Sequence, residues 1–324
     1  MARVALLSNP RSTGNQSLLP DVRSFCAAHE DIFHYEVEHA DQIGLALQRI
    51  ARVKPKVLVI NGGDGTVQAA LTAIHNERYF GDDPPPVAVL PNGKTNLIAH
   101  DLGAEGDPMA TLKRVLEIAR CDLDRHIVER ELIALSGGTS GGRPVLGMFL
   151  GGAGLADTML YCRHNLYPLG LPNGVAHVLA LLLGLLGVIV GSRGRFLPPR
   201  TGPLKISVLK QGEMQGQFAF LMVTTLQKLL FGGTMPGAEK RVGSMQLLLI
   251  ERSPRALFSA LYAAIRGKLG MHRLRGVHLQ RGDEIRIEGE QSGVILDGEI
   301  FEARADRPLV LTPTAPISFL RLAT

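Results

Sequence analysis

The segment Asn61-Gly-Gly-Asp-Gly-Thr66 stands directly behind four apolar residues, Val57 to Ile60, and ahead of a stretch with helical spacing. Glycines in such a turn let backbone N–H groups approach an anion, and a helix N-terminus adds positive potential. Gly62, Gly63, Gly65 and Thr66 are therefore candidate phosphate contacts. Asp64 in their midst is unfavourable beside an anion unless a cation or hydrogen-bond donors offset it. It is assigned either to a bound Mg²⁺ or to gripping the N–H groups of its own loop. The plainer alternative is an ordinary strand-to-helix turn with an aspartate cap.

A second loop, Pro91-Asn92-Gly93-Lys94-Thr95-Asn96, follows the apolar run Val87 to Leu90. Its Gly-Lys-Thr triplet suggests a P-loop, but that pattern needs a glycine where this chain has Ala88. The loop is too short to wrap a phosphate by itself. Gly93, Thr95 and Asn96 remain candidate contacts, and Lys94 is either a phosphate contact or a solvated side chain on the rim. A third loop, NPRSTGN, follows the first apolar strand and offers Asn9, Arg11 and Ser12. Ligands of parallel sheets gather at the carboxyl ends of the strands. The three loops together would make an anion-binding rim there.

Late in the chain, Leu296-Asp297-Gly298-Glu299 places two carboxylates two residues apart. On a regular strand they share a face; around an Asp-Gly turn they flank its tip. Either carboxylate could take the proton of an attacking hydroxyl, though a plain hairpin turn accounts for the same residues. Other chemistries are disfavoured. The histidines show no HxxxH or HExxH spacing. The three cysteines, Cys26, Cys121 and Cys162, are far apart and point to a reduced, cytoplasmic protein.

The elements that must position these loops alternate through the first part of the chain. Strands are expected at Arg3 to Ser8, Phe33 to Val37, Val57 to Ile60 and Val87 to Leu90. Helices are expected at Ser17 to His29, Asp41 to Arg52, Val67 to Ile74, Thr95 to Asp101 and Pro108 to Arg120. That alternation predicts an α/β domain with a parallel sheet. After Cys121 the texture becomes short apolar segments with Gly-rich turns: antiparallel strand material, interrupted by a helix over Ser253 to Leu269. The fold class is thus an N-terminal parallel-sheet α/β domain, residues 1–125, followed by a β-rich sandwich domain, residues 126–324. A linker falls near Asp122 to Glu129, and a C-terminal segment can return to the first domain. The thirteen apolar residues Val178 to Val190 are too few to span a bilayer. They read as a buried helix, or as one dipping into the membrane interface with Arg193 and Arg195 at the headgroups.

NGGDGT, followed by P-x-G-x-x-N and the late D-G-E, resembles the diacylglycerol kinase catalytic family, which includes bacterial lipid kinases and sphingosine and ceramide kinases. The likeness extends to NPRSTGN, FLGGAGLAD and FGGTMPGA, and so along nearly the whole chain. GGDGT alone is shared with NAD kinases; its combination with the other two motifs marks the lipid-kinase branch. The resemblance implies a nucleotide-binding first domain with ATP on the GGDGT and PNGKTN loops, between the two domains, and Mg²⁺ on the phosphates. It casts Glu299 as general base, assisted by Asp297. The implied reaction moves the γ-phosphate to a lipid hydroxyl such as that of diacylglycerol, with a sphingoid base or NAD as alternative acceptors. The chain departs from the family at Lys94, Thr95, Leu97, Gln68 and Val242; Leu97 and Val242 stand where the family carries aspartates. A lipid- or nucleotide-binding protein of weak turnover is the rival that these departures favour.

Composition fits the implied partners. Of 324 residues 45% are apolar, enough for a substantial core, and the formal charge of +5 suits phosphorylated ligands or an anionic membrane surface. The basic residues are scattered and Trp is absent, which argues against nucleic acid. The expected setting is cytoplasmic and peripheral to the inner membrane face, with a homodimer left open.

Overall fold

The computed structural model describes residues 3–93, 96–104, 106–156, 202–226, 244–266, 268–270, 272–289, 292–303 and 306–322. The chain divides into two compact units. The first comprises Met1–Leu132, Pro144–Gly147 and Thr314–Thr324; the second comprises Ile133–Arg143 and Met148–Pro313.

The first unit is built on a sheet of β1 (Val4–Ser8), β2 (Ile32–Glu36), β3 (Val57–Asn61), β4 (Val87–Val89), β5 (Ile127–Arg130) and β18 (Ile317–Leu320), ordered β2-β1-β3-β4-β18-β5. All neighbours are parallel except β18 and β5. β1 and β3 are buried along their whole length, so both faces must be covered. Val4, Leu6, Val57 and Val59 pack against Leu19, Val22 and Cys26 of α1 (Asn15–Ala27) and against Leu112, Val115 and Ile118 of α5 (Pro108–Cys121). Ala5, Leu7, Leu58 and Ile60, fully buried, alternate to the other face, the side of α2 (Ile43–Val53) and α3 (Asp64–Glu77). α5 begins with Pro108 behind Asp107, whose carboxylate accepts from the N–H groups of Met109 and Ala110.

Two expectations need correction. The segment Asp122 to Glu129 is not a linker: it forms a 3₁₀ turn, Asp124–His126, and then β5, which pairs antiparallel with β18. The helix expected from Val67 begins three residues earlier, so Asp64, Gly65 and Thr66 form its first turn.

The second unit is antiparallel, the β-rich part expected from the sequence. One sheet contains β10 (Gly212–Gly216), β9 (Leu204–Val208), β14 (Ile285–Glu288), β17 (Leu309–Pro313) and β6 (Ile133–Gly137), in that order. The other runs β13 (Val277–Gly282), β12 (Met245–Glu251), β11 (Phe218–Thr224), β8 (Phe149–Gly152), β15 (Ser292–Leu296) and β16 (Glu299–Ala303). Helix α6 (Pro254–Ile265) packs on the latter. The apolar run Val178 to Val190, its flanking Arg193 and Arg195, the FGGTMPGA stretch and Val242 lie outside the described residues. No helix among the described residues is long and apolar enough to cross a membrane.

Candidate functional site

The strand order puts the loops after β1, β3 and β4 side by side at one edge of the sheet. Strand order reverses between the parallel β1 and β3, with β2 on one side and β4 on the other, which opens a crevice at their carboxyl ends. On this edge the backbone leaves donors free. Thr66 and Val67 N–H both return to Gly63 O, at 2.9 and 3.1 Å. The N–H groups of Gly62, Gly63, Asp64 and Gly65 have no acceptor among the described residues. They are four consecutive donors at the positive end of a 14-residue helix, which suits them to an anion.

A network of buried amides holds the three loops in register. Asn15 Nδ2 donates to Asn9 O at 2.7 Å and to Asn61 O at 3.1 Å. Asn92 Nδ2 donates to Asn61 Oδ1 at 2.7 Å and also to Asn15 Oδ1. Asn61 Nδ2 in turn donates to Ser8 Oγ at 3.1 Å, and His34 Nε2 lies 2.9 Å from that hydroxyl. Ser12 Oγ adds a bond to Asn92 O. Asn15, Asn61 and Asn92 are each at most 5% exposed, so the bonds among them are made away from water and are costly to lose. Sequence reasoning assigned none of these three a role. The available signal, an asparagine at or just past the end of an apolar strand, covers Asn61 and Asn92 but not Asn15, which opens α1.

The predicted contacts take distinct places around this network. Asn9 is half-buried and its Nδ2 donates to Thr66 Oγ1 at 2.9 Å, joining the first loop to α3. Arg11 is exposed, its Nη1 3.1 Å from His39 Nδ1 at the loop after β2. Gly93 N donates to Asn96 Oδ1 at 2.6 Å, and Asn96 sits in the left-handed region at φ 52°, a conformation asparagine tolerates. A Cβ on Gly93 would lie 3.1 Å from Gly63 Cα, so this glycine lets the second loop close against the first. Lys94 and Thr95 lie outside the described residues. Leu97 opens α4 (Leu97–Asp101), and Gln68 is buried within α3.

Asp64 has no hydrogen-bond or ion-pair partner among the described residues, and burial pushes its carboxyl up to about 6. No group of three metal-ligating side chains occurs among them either. Mg²⁺ commonly binds one or two carboxylates together with substrate phosphates. A single partnerless carboxylate within the N–H row fits a cation brought in with a phosphate chain, and Asp64 is the residue that would hold it. A separate depression of ≈ 560 Å³, lined by Lys54, Lys56, Tyr79 and Phe80, includes none of these loop residues.

In the second unit the D-G-E motif is a two-residue hairpin. Leu296 pairs with Glu299, and Asp297 and Gly298 at the tip both have positive φ, 44° and 98°, as a type I′ turn demands. Asp297 is buried. Its Oδ2 accepts from Met148 N at 2.8 Å and its Oδ1 from Phe149 N at 2.9 Å, while its own N–H donates to Phe149 O. The carboxylate anchors the turn to β8 and is engaged in doing so. Glu299 is exposed at the first position of β16. The motif therefore divides into an anchor and a free carboxylate.

Residues 3–124 match the family model of the diacylglycerol kinase catalytic domain. Among curated proteins nothing matches the chain. Among solved structures it is similar to one described as a diacylglycerol kinase from Bacillus anthracis str. Sterne, with a TM-score of 0.61 at 16% identity over 98% of this chain and 96% of that one. A second structure from the same organism, provisionally described as a diacylglycerol kinase, gives 0.63 at 19% identity over 96% and 94%. At such identities the likeness establishes the fold. Residues 3–124, which hold all three loops and the amide network, thus match the diacylglycerol kinase catalytic domain, within a chain that shares its fold along nearly its full length with those structures.

Proposed function

We propose that the protein is an ATP-dependent lipid kinase that transfers the γ-phosphate to a lipid hydroxyl, with diacylglycerol the leading acceptor. The observation that carries this reading is the row of four unpartnered N–H groups, Gly62 to Gly65, at the start of α3, within a segment that matches a kinase domain. These donors, with Gly93 and Asn96 closing the neighbouring loop and Lys94 and Thr95 as further contacts, would bind and orient the phosphate chain. Phosphoryl transfer asks mainly for positioning and charge neutralisation. Mg²⁺, when bound with the nucleotide at Asp64, supplies positive charge for the phosphate oxygens.

Glu299 is the proposed general base. The acceptor oxygen bonds to the γ-phosphorus, the bond from that phosphorus to the bridging oxygen breaks, ADP departs, and the hydroxyl proton goes to the Glu299 carboxylate. Its exposure leaves it free to accept that proton. Asp297 is a positioning residue, since both its oxygens already receive backbone N–H groups.

The test is incubation with ATP, Mg²⁺ and mixed lipid micelles, followed by mass spectrometry for a lipid that gains one phosphate. Glu299→Gln should lower turnover by about 10²–10⁴-fold with an unchanged thermal melt. Undiminished turnover in that variant removes Glu299 from the mechanism. Phosphate gained by NAD but by no lipid would overturn the acceptor class. Nucleotide binding with no product at all would favour the weak-turnover reading, which rests on Leu97 and Val242 standing where the family has aspartates.

A further inference from the structure

Helix α6 has two unlike faces. Ala256 and Ala260 are buried against Met222, Leu248 and Ile250 of the sheet beneath. The opposite face carries Phe258, Leu261 and Tyr262, which are 50%, 40% and 58% exposed. Spacings of three and four place them in one row, and Arg255 and Arg266 continue that row at its two ends. Only six large apolar side chains are exposed among the described residues. Three of them fall within five positions here, which is a patch and not scatter. Arg266 also lies over the Tyr262 ring at 4.5 Å.

The charge along this helix and the segment that follows it is one-sided, with Glu251, paired to His278, at its edge. Residues 252–282 contain seven Lys and Arg and no Asp or Glu, which leaves the rest of the chain at −2 out of a total of +5. Arg255, Arg266, Lys268, Arg273 and Arg275 are exposed, and none forms an ion pair among the described residues.

We propose that this face of α6 docks on an anionic lipid leaflet. Phe258, Leu261 and Tyr262 would enter the headgroup boundary while the arginines and Lys268 meet lipid phosphates. A leaflet offers an apolar layer directly beneath a negative one, which is the order this surface needs. A second copy is a poor occupant: a two-fold pairing of the same face would set one cation row against another. Duplex nucleic acid would satisfy the cations and leave the apolar row in water. The inference draws on the lipid-kinase reading for the reason such a surface is visited, but binding itself requires no turnover.

The experiment is vesicle sedimentation without ATP, comparing phosphatidylcholine alone with phosphatidylcholine containing phosphatidylglycerol. The full chain should partition onto the mixed vesicles and little onto the neutral ones, with binding weakened by salt. Arg266→Gln and Lys268→Gln should each reduce partitioning about fivefold, the loss expected per surface cation. Phe258→Ser with Tyr262→Ser should abolish it. All four positions are exposed, so the thermal melt should stay put; if the serine pair melts lower, the glutamine variants decide. Equal binding to neutral and anionic vesicles, or unaltered binding of the variants, overturns the proposal. So does a concentration-dependent dimer that the serine pair dissolves. Vesicle binding by a protein that phosphorylates no lipid would sink the proposed function and leave this surface intact. Lipid turnover with α6-independent binding would do the reverse.

Discussion

Asp297 and Glu299 show how far two neighbouring carboxylates of one motif can differ in duty. Asp297 is sequestered and accepts two backbone N–H groups; Glu299 is open to solvent. Asp297→Asn keeps the shape but turns one acceptor into a donor facing another donor. Stability should fall by about 1–3 kcal/mol, read by urea unfolding, and the amides of Met148 and Phe149 should exchange faster. The glycines of the phosphate loop separate in the same way. A Cβ on Gly62 would meet Thr66 Cβ at 2.7 Å, whereas one on Gly63 would meet nothing nearer than Ser12 Oγ at 3.7 Å. Gly62→Ala should therefore cost about 1–3 kcal/mol by overpacking. Gly63→Ala should leave the melt within about 0.5 kcal/mol and weaken nucleotide binding, measured by calorimetry. Intact affinity in Gly63→Ala would argue that no phosphate approaches that backbone.

At the scale of elements, β1, β2, β3 and β4 with their helices are local objects. Each carries its own periodicity and flanking turn signals, and they fall within a few residues of where the sequence puts them. What stayed hidden depends on distant partners or on residues that mask their own element. Ile127–Arg130 is a strand only because β18 arrives beside it from the far end of the chain. The first turn of α3 reads as loop because two glycines flank Asp64, and glycine is a poor helix former; its start is fixed by the loop packed against it. Motif spacing made Gly62 to Thr66 legible, yet Asn15, Asn61 and Asn92 went unassigned because an asparagine's partner cannot be read from its neighbours in sequence. The same network reaches β2 through His34, whose pKa is depressed mainly by burial and also by the charge of Arg23, against the opposing pull of Glu36. A histidine with a lowered folded pKa takes up its proton more readily when unfolded. Stability is therefore lost as pH falls through its ordinary value near 6.5 toward the folded one. His34→Gln should flatten the melting temperature between about pH 7 and pH 5. An unchanged slope would show that the imidazole is not what titrates.

At the scale of the molecule, the second unit is inserted into the first. β18 lies between β4 and β5 in the parallel sheet, and Phe319 is fully buried there. Phe319→Ala should cost about 3–5 kcal/mol. Because the phosphate loops belong to the same unit, a saturating nucleotide at 100 times its Kd should restore about 2.7 kcal/mol, seen as a shift in the melt. A variant that nucleotide fails to stabilise would place binding outside this unit. The threading also has a consequence for biogenesis. While the polypeptide is being made, the flank of β4 that β18 will occupy stays bare until the whole second unit has been translated, a delay of tens of seconds at about 5–20 residues per second. For that interval the nascent chain carries an unpaired sheet margin, the kind of surface to which other strands adhere, so shielding on the ribosome should matter more for this protein than for one whose sheet closes as it emerges.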